Sequence, residues 1–297
     1  MPDSFSEADN VVLHKIENGY MNLSILGSGA WEGIPAPFCN CRVCLSALEL
    51  GSKDFRMRPQ LLVKTEEGVF LLEISPDIRM QAATFSLPEI SDFVVSHWHF
   101  DHMYGLLDLH AWADFVAKKQ PRIFCSAKTK EWLDTNFAHI PKEVVVLTPF
   151  QSFELAGVRI TPIPLYHMRR RDETIPPEEL RNTFGYVLEH GGKKVAYLAD
   201  YYAVPERSLD MLKGSDVVIA DGTYLFEEDF PNGPEQDALK TDPDHMHDSA
   251  IIDLVSQFGA DHIIFHSISH LSGKKHDELF RLLPEGMSVG FDGMQVL

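Results

Sequence analysis

The stretch His97-Trp98-His99-Phe100-Asp101-His102 sets three imidazoles and a carboxylate within six residues, directly after the run 93–96, Phe-Val-Val-Ser. That run reads as a short buried strand. Side chains alternate along a strand, so His97 and His99 leave it on one side, and the turn that follows brings in Asp101 and His102. This donor set suits zinc, or manganese or iron where more oxygen ligands join. Metal-type side chains stand at strand ends elsewhere too: His167 after 158–165, Asp200 after 195–198, Asp221 after 217–220 and His266 after 262–265.

Around these ends the chain alternates strands and helices. Residues 21–26 read as a strand closing on Gly27-Ser28-Gly29, and 60–64 with 69–74 as a hairpin around Glu66-Glu67-Gly68. Helical spacing covers 105–119 and 249–258, a shorter helix 209–212, and a further strand 121–125. The pairing of 185–188 with 195–198 adds a second hairpin. These hairpins, and more strands than one doubly wound sheet needs, argue for mixed sheets with helices outside; the strand-end pattern, with the family resemblance that the histidine stretch carries, predicts an α/β (α+β) αββα sandwich of two mixed β-sheets. Residues 1–20 read as an N-terminal extension and 21–297 as a single domain. Segments 169–181 and 226–244 carry charge, proline and glycine and read as loops near the site mouth.

Composition narrows the classes of function. The 297 residues carry 26 Lys+Arg against 44 Asp+Glu, a formal charge of −18, which repels polyanions and makes nucleic acid an unexpected partner. A hydrophobic share of 44% allows a large core, while no apolar run approaches membrane-spanning length. The first ten residues lack a basic and then apolar leader, so a cytoplasmic location is expected. Of four cysteines, three form Cys39-Asn40-Cys41-Arg42-Val43-Cys44. Thiolates this close can share one tetrahedral zinc, given a fourth ligand, or stand as free thiols in a reducing compartment. Cys125, in an apolar strand, reads as a small buried hydrophobe.

The His-x-His-x-Asp-His pattern resembles the signature of the metallo-β-lactamase superfamily. The resemblance implies that His97, His99 and His167 hold one divalent ion, that Asp101 and His102 hold a second, and that Asp200 bridges them. The cysteine cluster, with Leu26-Gly27-Ser28-Gly29-Ala30, Gly33 and Pro35, is similar to the phosphodiesterases of the carbon–phosphorus lyase pathway, which open a cyclic phosphate on phosphoribose. That likeness implies a structural zinc on Cys39, Cys41, Cys44 and His270. Asp221-Gly222-Thr223-Tyr224 gives a weaker likeness to a coenzyme-biosynthesis branch of the pyrroloquinoline quinone type. Glu73 departs from the pattern, standing where the family has Asp-x-Gly. The last ligand position departs as well: gapless alignment puts Ser267 there and His266 one residue early. A one-residue slip reverses a strand side chain, so His266 reaches the site only through a bulge. His266 is nevertheless the expected ligand, its loss costing about one metal ion and most turnover and that of Ser267 costing little.

The expected activity is that of a metal-dependent hydrolase, a phosphodiesterase for a small phosphorylated or cyclic-phosphate metabolite. Two zinc or manganese ions would hold a bridging hydroxide as nucleophile, with Asp101 and His245 as catalytic residues. His245 precedes Gly259-Ala260 by fourteen residues, as a proton-donating histidine does in RNA-processing relatives; His247 is the weaker candidate. Alternatives are an RNA-processing nuclease, a thioester or lactone hydrolase, and a non-catalytic metabolite carrier. Arg169, Arg170 and Arg171 are either phosphate contacts or a solvated basic run. The partner expected is a small phosphate ester, with a homodimer as an open option.

Overall fold

Strand-forming runs that are apolar on both faces need cover on both faces, and two sheets stacked between helices supply it. The structure, a computed structural model, describes residues 19–167, 183–226 and 249–297. Its first sheet runs in chain order: β1 (Asn22–Gly27), β2 (Gln60–Lys64), β3 (Val69–Leu72), β4 (Asp92–Val94), β5 (Arg122–Cys125) and β6 (Glu143–Val146). Antiparallel pairs join β1 to β3 and parallel pairs β3 to β6. The second sheet holds β7 (Phe153–Leu155), β8 (Val158–Leu165), β9 (Thr183–His190), β10 (Lys193–Tyr197), β11 (Val217–Asp221), β12 (His262–His266) and β13 (Met287–Val289), also in sequence order. It is antiparallel from β7 to β10 and parallel beyond.

Three apolar layers hold the sandwich together. Leu23, Leu61, Phe70 and Val94 of the first sheet meet Ile160, Tyr186, Val195 and Ile219 of the second between the sheets. The outer face of the first sheet, with Leu71, Phe93 and Ile123, is covered by α2 (Ile78–Thr84), α4 (Leu106–Ala111) and α5 (Ala127–Asn136), following α1 (Arg42–Ser46) and α3 (Phe100–Met103) in the chain order. The outer face of the second, with Val187, Ala196, Val218 and Phe265, is covered by α6 (Glu206–Leu212), α7 (Ser249–Val255) and α8 (His276–Leu282). The αββα expectation therefore holds. The expected long helix 105–119 divides into α4 and a wider π-helical turn, Trp112–Ala117, that ends on Lys118 in the left-handed region. Among the described residues no helix is long and apolar enough to cross a membrane. His245, His247, Arg169, Arg170 and Arg171 lie outside the described residues, as do residues 1–18.

Candidate metal centre

The metal-type residues gather because their strands end at one edge. The chain leaves β4 at Val94, keeps one further ladder bond from the Val95 N–H to the Phe124 carbonyl (2.9 Å), and then enters the histidine stretch. His99 caps α3, which carries Asp101 and His102. Gly105 fixes the depth of that helical segment: its N–H donates to the Ile74 carbonyl (3.0 Å), and a Cβ there would stand 2.1 Å from the Ser75 carbonyl oxygen. On the second sheet, Tyr166 pairs with Ala203, pinning His167 beside the segment that carries Asp200.

Ligand atoms from His97, His99, His167 and Asp200 converge within 4.8 Å of one another, as do those of Asp101, His102 and Asp200. Donors 2.0–2.1 Å from a tetrahedral zinc lie about 3.3 Å apart. His167 Nε2 is 3.1 Å from His99 Nδ1 and 3.7 Å from Asp200 Oδ2, and His97 Nε2 is 3.7 Å from the same oxygen. The other Asp200 oxygen, Oδ1, is 3.3 Å from His102 Nε2, which is 3.0 Å from Asp101 Oδ2. Each oxygen of one carboxylate thus faces a different group, the arrangement of a bridging ligand.

Electrostatics point the same way. His97 Nε2 is buried without a hydrogen-bond partner, a costly state that a cation would relieve. Burial, then the neighbouring imidazoles of His102, His99 and His167, hold His97 well below the usual histidine range, so its ring is the neutral form that ligates. Burial pulls His102 down too, but Asp101, Asp200 and Glu73 outweigh it and hold that ring well above its usual range. The pocket therefore favours positive charge. The residues fit two divalent cations sharing Asp200.

Behind the ligand atoms stand two positioning groups. Ser96 Oγ lies 2.9 Å from His97 Nδ1, which aims Nε2 at the cluster. Glu73, with a left-handed φ of 70°, accepts from the Ser96 N–H (3.2 Å) and sets Oε1 3.5 Å from His102 Nδ1. The Glu73 carboxylate thus stands against the back of a metal-type imidazole. Its loss in Glu73→Gln is expected to weaken binding of the second cation by about 10–100-fold, read by competition with a zinc chelator.

The structure does not bring His266 to either group, which corrects the expectation that it supplies the last ligand. No bulge redirects it: β12 pairs with β11 in regular register through Asp221 opposite His266, and the chain turns one residue later, at Ser267 (φ 56°). The His266 Nε2 lies 3.2 Å from the Leu198 carbonyl, Nδ1 lies 3.0 Å from Ser267 Oγ, and the ring stands 5.1 Å from that of Tyr197. Both nitrogens are engaged, and burial lowers the ring's basicity. Ser267 is absent from both groups as well. His266→Ala is accordingly expected to keep the metal content of the native chain by elemental analysis, while losing about 1–3 kcal/mol of stability for the unpaired carbonyl and the cavity.

A separate cluster joins the two ends of the chain. Cys39, Cys41, Cys44 and His270 hold their ligand atoms within 4.8 Å. Cys39 Sγ and Cys41 Sγ each lie 3.5 Å from His270 Nδ1, about the separation of sulfur and nitrogen donors on one zinc. Cys41 caps α1, its sulfur accepting from the Cys44 N–H (3.4 Å). Burial raises this thiol, yet the Cys44 N–H and the His270 ring outweigh it and bring it to about 7, while burial lifts Cys44 to about 12. Glu32 stands behind His270, with Oε1 4.0 Å from Nε2 and accepting from Ser269 Oγ (2.6 Å). Cys125 is buried among the apolar side chains under the first sheet.

Two mixed sheets between helices, with histidines and aspartates converging at one edge, define a metal-binding hydrolase of the metallo-β-lactamase fold. The chain belongs to the β-lactamase superfamily, whose domain model matches residues 69–267. That span includes His97, His99, Asp101, His102, His167 and Asp200, and excludes Cys39, Cys41, Cys44 and His270. A solved diphosphatase of the PhnP family is similar over 93% of this chain and 96% of its own, at 26% identity and TM-score 0.74. Zinc-bound PqqB from Methylobacterium extorquens shares the fold over 93% of this chain and 99% of its own, at 21% identity and TM-score 0.76. An octanoyltransferase of Porphyromonas gingivalis is 25% identical over 287 residues, 93% of this chain; the chain spans only about half (51%) of that relative's length.

Proposed function

We propose that the chain is a metal-dependent phosphodiesterase acting on a small phosphate ester, with two divalent cations, zinc or manganese, astride Asp200 and a structural zinc on Cys39, Cys41, Cys44 and His270. The observation that carries the reading is the division of the Asp200 carboxylate between the two groups, one oxygen facing each. Two cations held this way supply Lewis-acid polarisation of phosphoryl oxygens and ionise water near neutral pH. The residues of the chain do the rest. His97, His99 and His167 fix one position, with Ser96 setting the His97 ring. Asp101 and His102 fix the other, with Glu73 behind. Burial of all of these except His99 keeps bulk water from the ligand side. The similar PhnP-family diphosphatase supports phosphorus as the reacting centre. His245 is proposed as the donor of a proton to the departing alkoxide.

A second reading, thioester hydrolysis, is raised by the similarity to the octanoyltransferase, of whose length this chain matches 51%. Assay of the zinc- and manganese-loaded protein on bis(p-nitrophenyl) phosphate, octanoyl-pantetheine and a tRNA precursor separates the readings. The proposal expects turnover of the diester. Cleavage of the thioester or the precursor alone would overturn it.

A further inference from the structure

We propose that Arg58 is a positioning residue for the second cation, its clasp on Asp77 fixing the segment 73–77 that holds His102 in place; this rests on the two-cation reading above. One residue supplies three donors to one carboxylate. The Arg58 N–H (2.8 Å) and Nε (2.9 Å) donate to Asp77 Oδ2, and Nη2 donates to Oδ1 (2.6 Å). The Arg58 carbonyl is engaged as well, accepting from Ser75 Oγ (3.1 Å) and Gln81 Nε2 (3.0 Å), and a Cβ on Gly27 would stand 1.9 Å from it. The chain entering β2 is thereby locked between the end of β1 and the start of α2. Both side chains of the pair are partly buried, unlike the exposed pairs that contribute little. Asp77 also departs from its local preference: it stands at the N-cap of α2 without a side-chain cap bond. An aspartate there ordinarily accepts from the first-turn N–H groups. Turning the carboxylate to a distant arginine instead marks a role in the tertiary site.

The segment reaches the metal centre at its other end. The Ile74 N–H donates to the His102 carbonyl (2.8 Å), the Ile74 carbonyl accepts from the Gly105 N–H (3.0 Å), and Glu73 Oε1 stands 3.5 Å from His102 Nδ1. His102 is thus held at backbone and ring by one short segment whose far end is the clasp. The first cation position has different supports: Ser96 Oγ on His97, and the Tyr166–Ala203 pairing beside His167. The Ser96 N–H on Glu73 Oε2 (3.2 Å) links it to the segment through backbone only. Hydrogen bonds to Asp77 outweigh burial and hold the Arg58 guanidinium above its usual range, and the charge of Asp101 adds to them, so Arg58 stands on the side of the second position. Freed from Arg58, the Asp77 carboxylate can turn back to the first N–H groups of α2, and the segment behind His102 loses its hold.

Competition with a zinc chelator on the fully loaded chain reads the ions in the order they leave, without any substrate. In Arg58→Ala the ion at Asp101 and His102 is expected to bind about tenfold more weakly, the low end of the range for a group behind a ligand, while the ions at the His97 position and at the cysteines leave as in the native chain. Arg58→Lys keeps the charge but not the two-point geometry; it should recover part of the loss, and it reads the same effect at smaller size where Arg58→Ala folds poorly. Combined with Glu73→Gln, Arg58→Ala should add little, because both act on His102 through one segment. Equal loosening of all three ions, which a general loss of structure would give, overturns the proposal. So does an unaltered ion at the second position, or full additivity with Glu73→Gln. A native chain that holds no ion at Asp101 and His102 overturns the two-cation reading together with it. A selective loss in Arg58→Ala, beside a native chain that turns over no diester, leaves the positioning role standing and removes the phosphodiesterase reading.

Discussion

Asp200→Ala is expected to reduce bound metal from three ions per chain to one and to lower kcat/KM on bis(p-nitrophenyl) phosphate by at least about a thousandfold. The two carboxylate oxygens serve different groups, so one truncation removes a donor from both. What remains is a surplus of imidazole, His97, His99, His102 and His167 with ring centroids 4.4–4.9 Å apart, and only Asp101 and Glu73 to balance it. Elemental analysis beside the kinetic assay checks the result, and an unchanged circular dichroism spectrum separates it from unfolding. Retention of three ions by the variant would show that the carboxylate does not bridge. The position with fewer donors, Asp101, His102 and Asp200, is also expected to empty first under a mild chelator, because neither His266 nor Ser267 completes it.

Cys41→Ser is the second large effect. It is expected to remove one zinc and lower Tm by about 5–10 °C while leaving the two ions at the histidine cluster in place. The cysteine cluster ties a loop before β2 to the segment after β12, and only a small apolar group of Ile34, Ala36, Val43 and Ala47 packs beneath it. Little hydrophobic burial is therefore available there to replace a lost metal. Arg42 adds a bidentate pair to Glu278 at 2.7 and 2.9 Å, but that contact is exposed and contributes little. Calorimetry and zinc analysis on one sample check the pair of outcomes. Unchanged zinc would contradict the assignment of these side chains to a metal.

Much of this was legible because strand ends leave a strong trace in sequence. Continuous apolar runs such as 217–220 and 263–265 end abruptly in Asp221 and His266, and the hairpin 60–74 carries its own turn residues. His97, His99, Asp101 and His102 stand out by their spacing, while His167 and Asp200 join them only through the resemblance to the metallo-β-lactamase signature, since Asp221 and His266 end strands in the same way and stay outside both groups. Short edge strands were not legible. β6 presents exposed side chains at both ends, and β13 is three residues long, so neither shows a buried face by pattern. In sequence Glu73 shows only as a departure from Asp-x-Gly. Its place behind His102 depends on a left-handed backbone turn and on the close approach at Gly105, neither of which has a local pattern. His266 was misplaced for a related reason. Whether a strand bulges before a turn or turns one residue later is decided by its neighbour β11, whose ladder holds His266 opposite Asp221.

One carboxylate is expected to be shared by two cations, with a third apart on sulfur. Anomalous diffraction at the zinc edge from zinc-loaded crystals tests it most directly. The account predicts three peaks per chain: two about 3.5–4 Å apart astride Asp200, and one among Cys39, Cys41, Cys44 and His270. A single peak at the cysteines, with none between His97 and Asp101, would contradict it and leave a carrier with a structural zinc only.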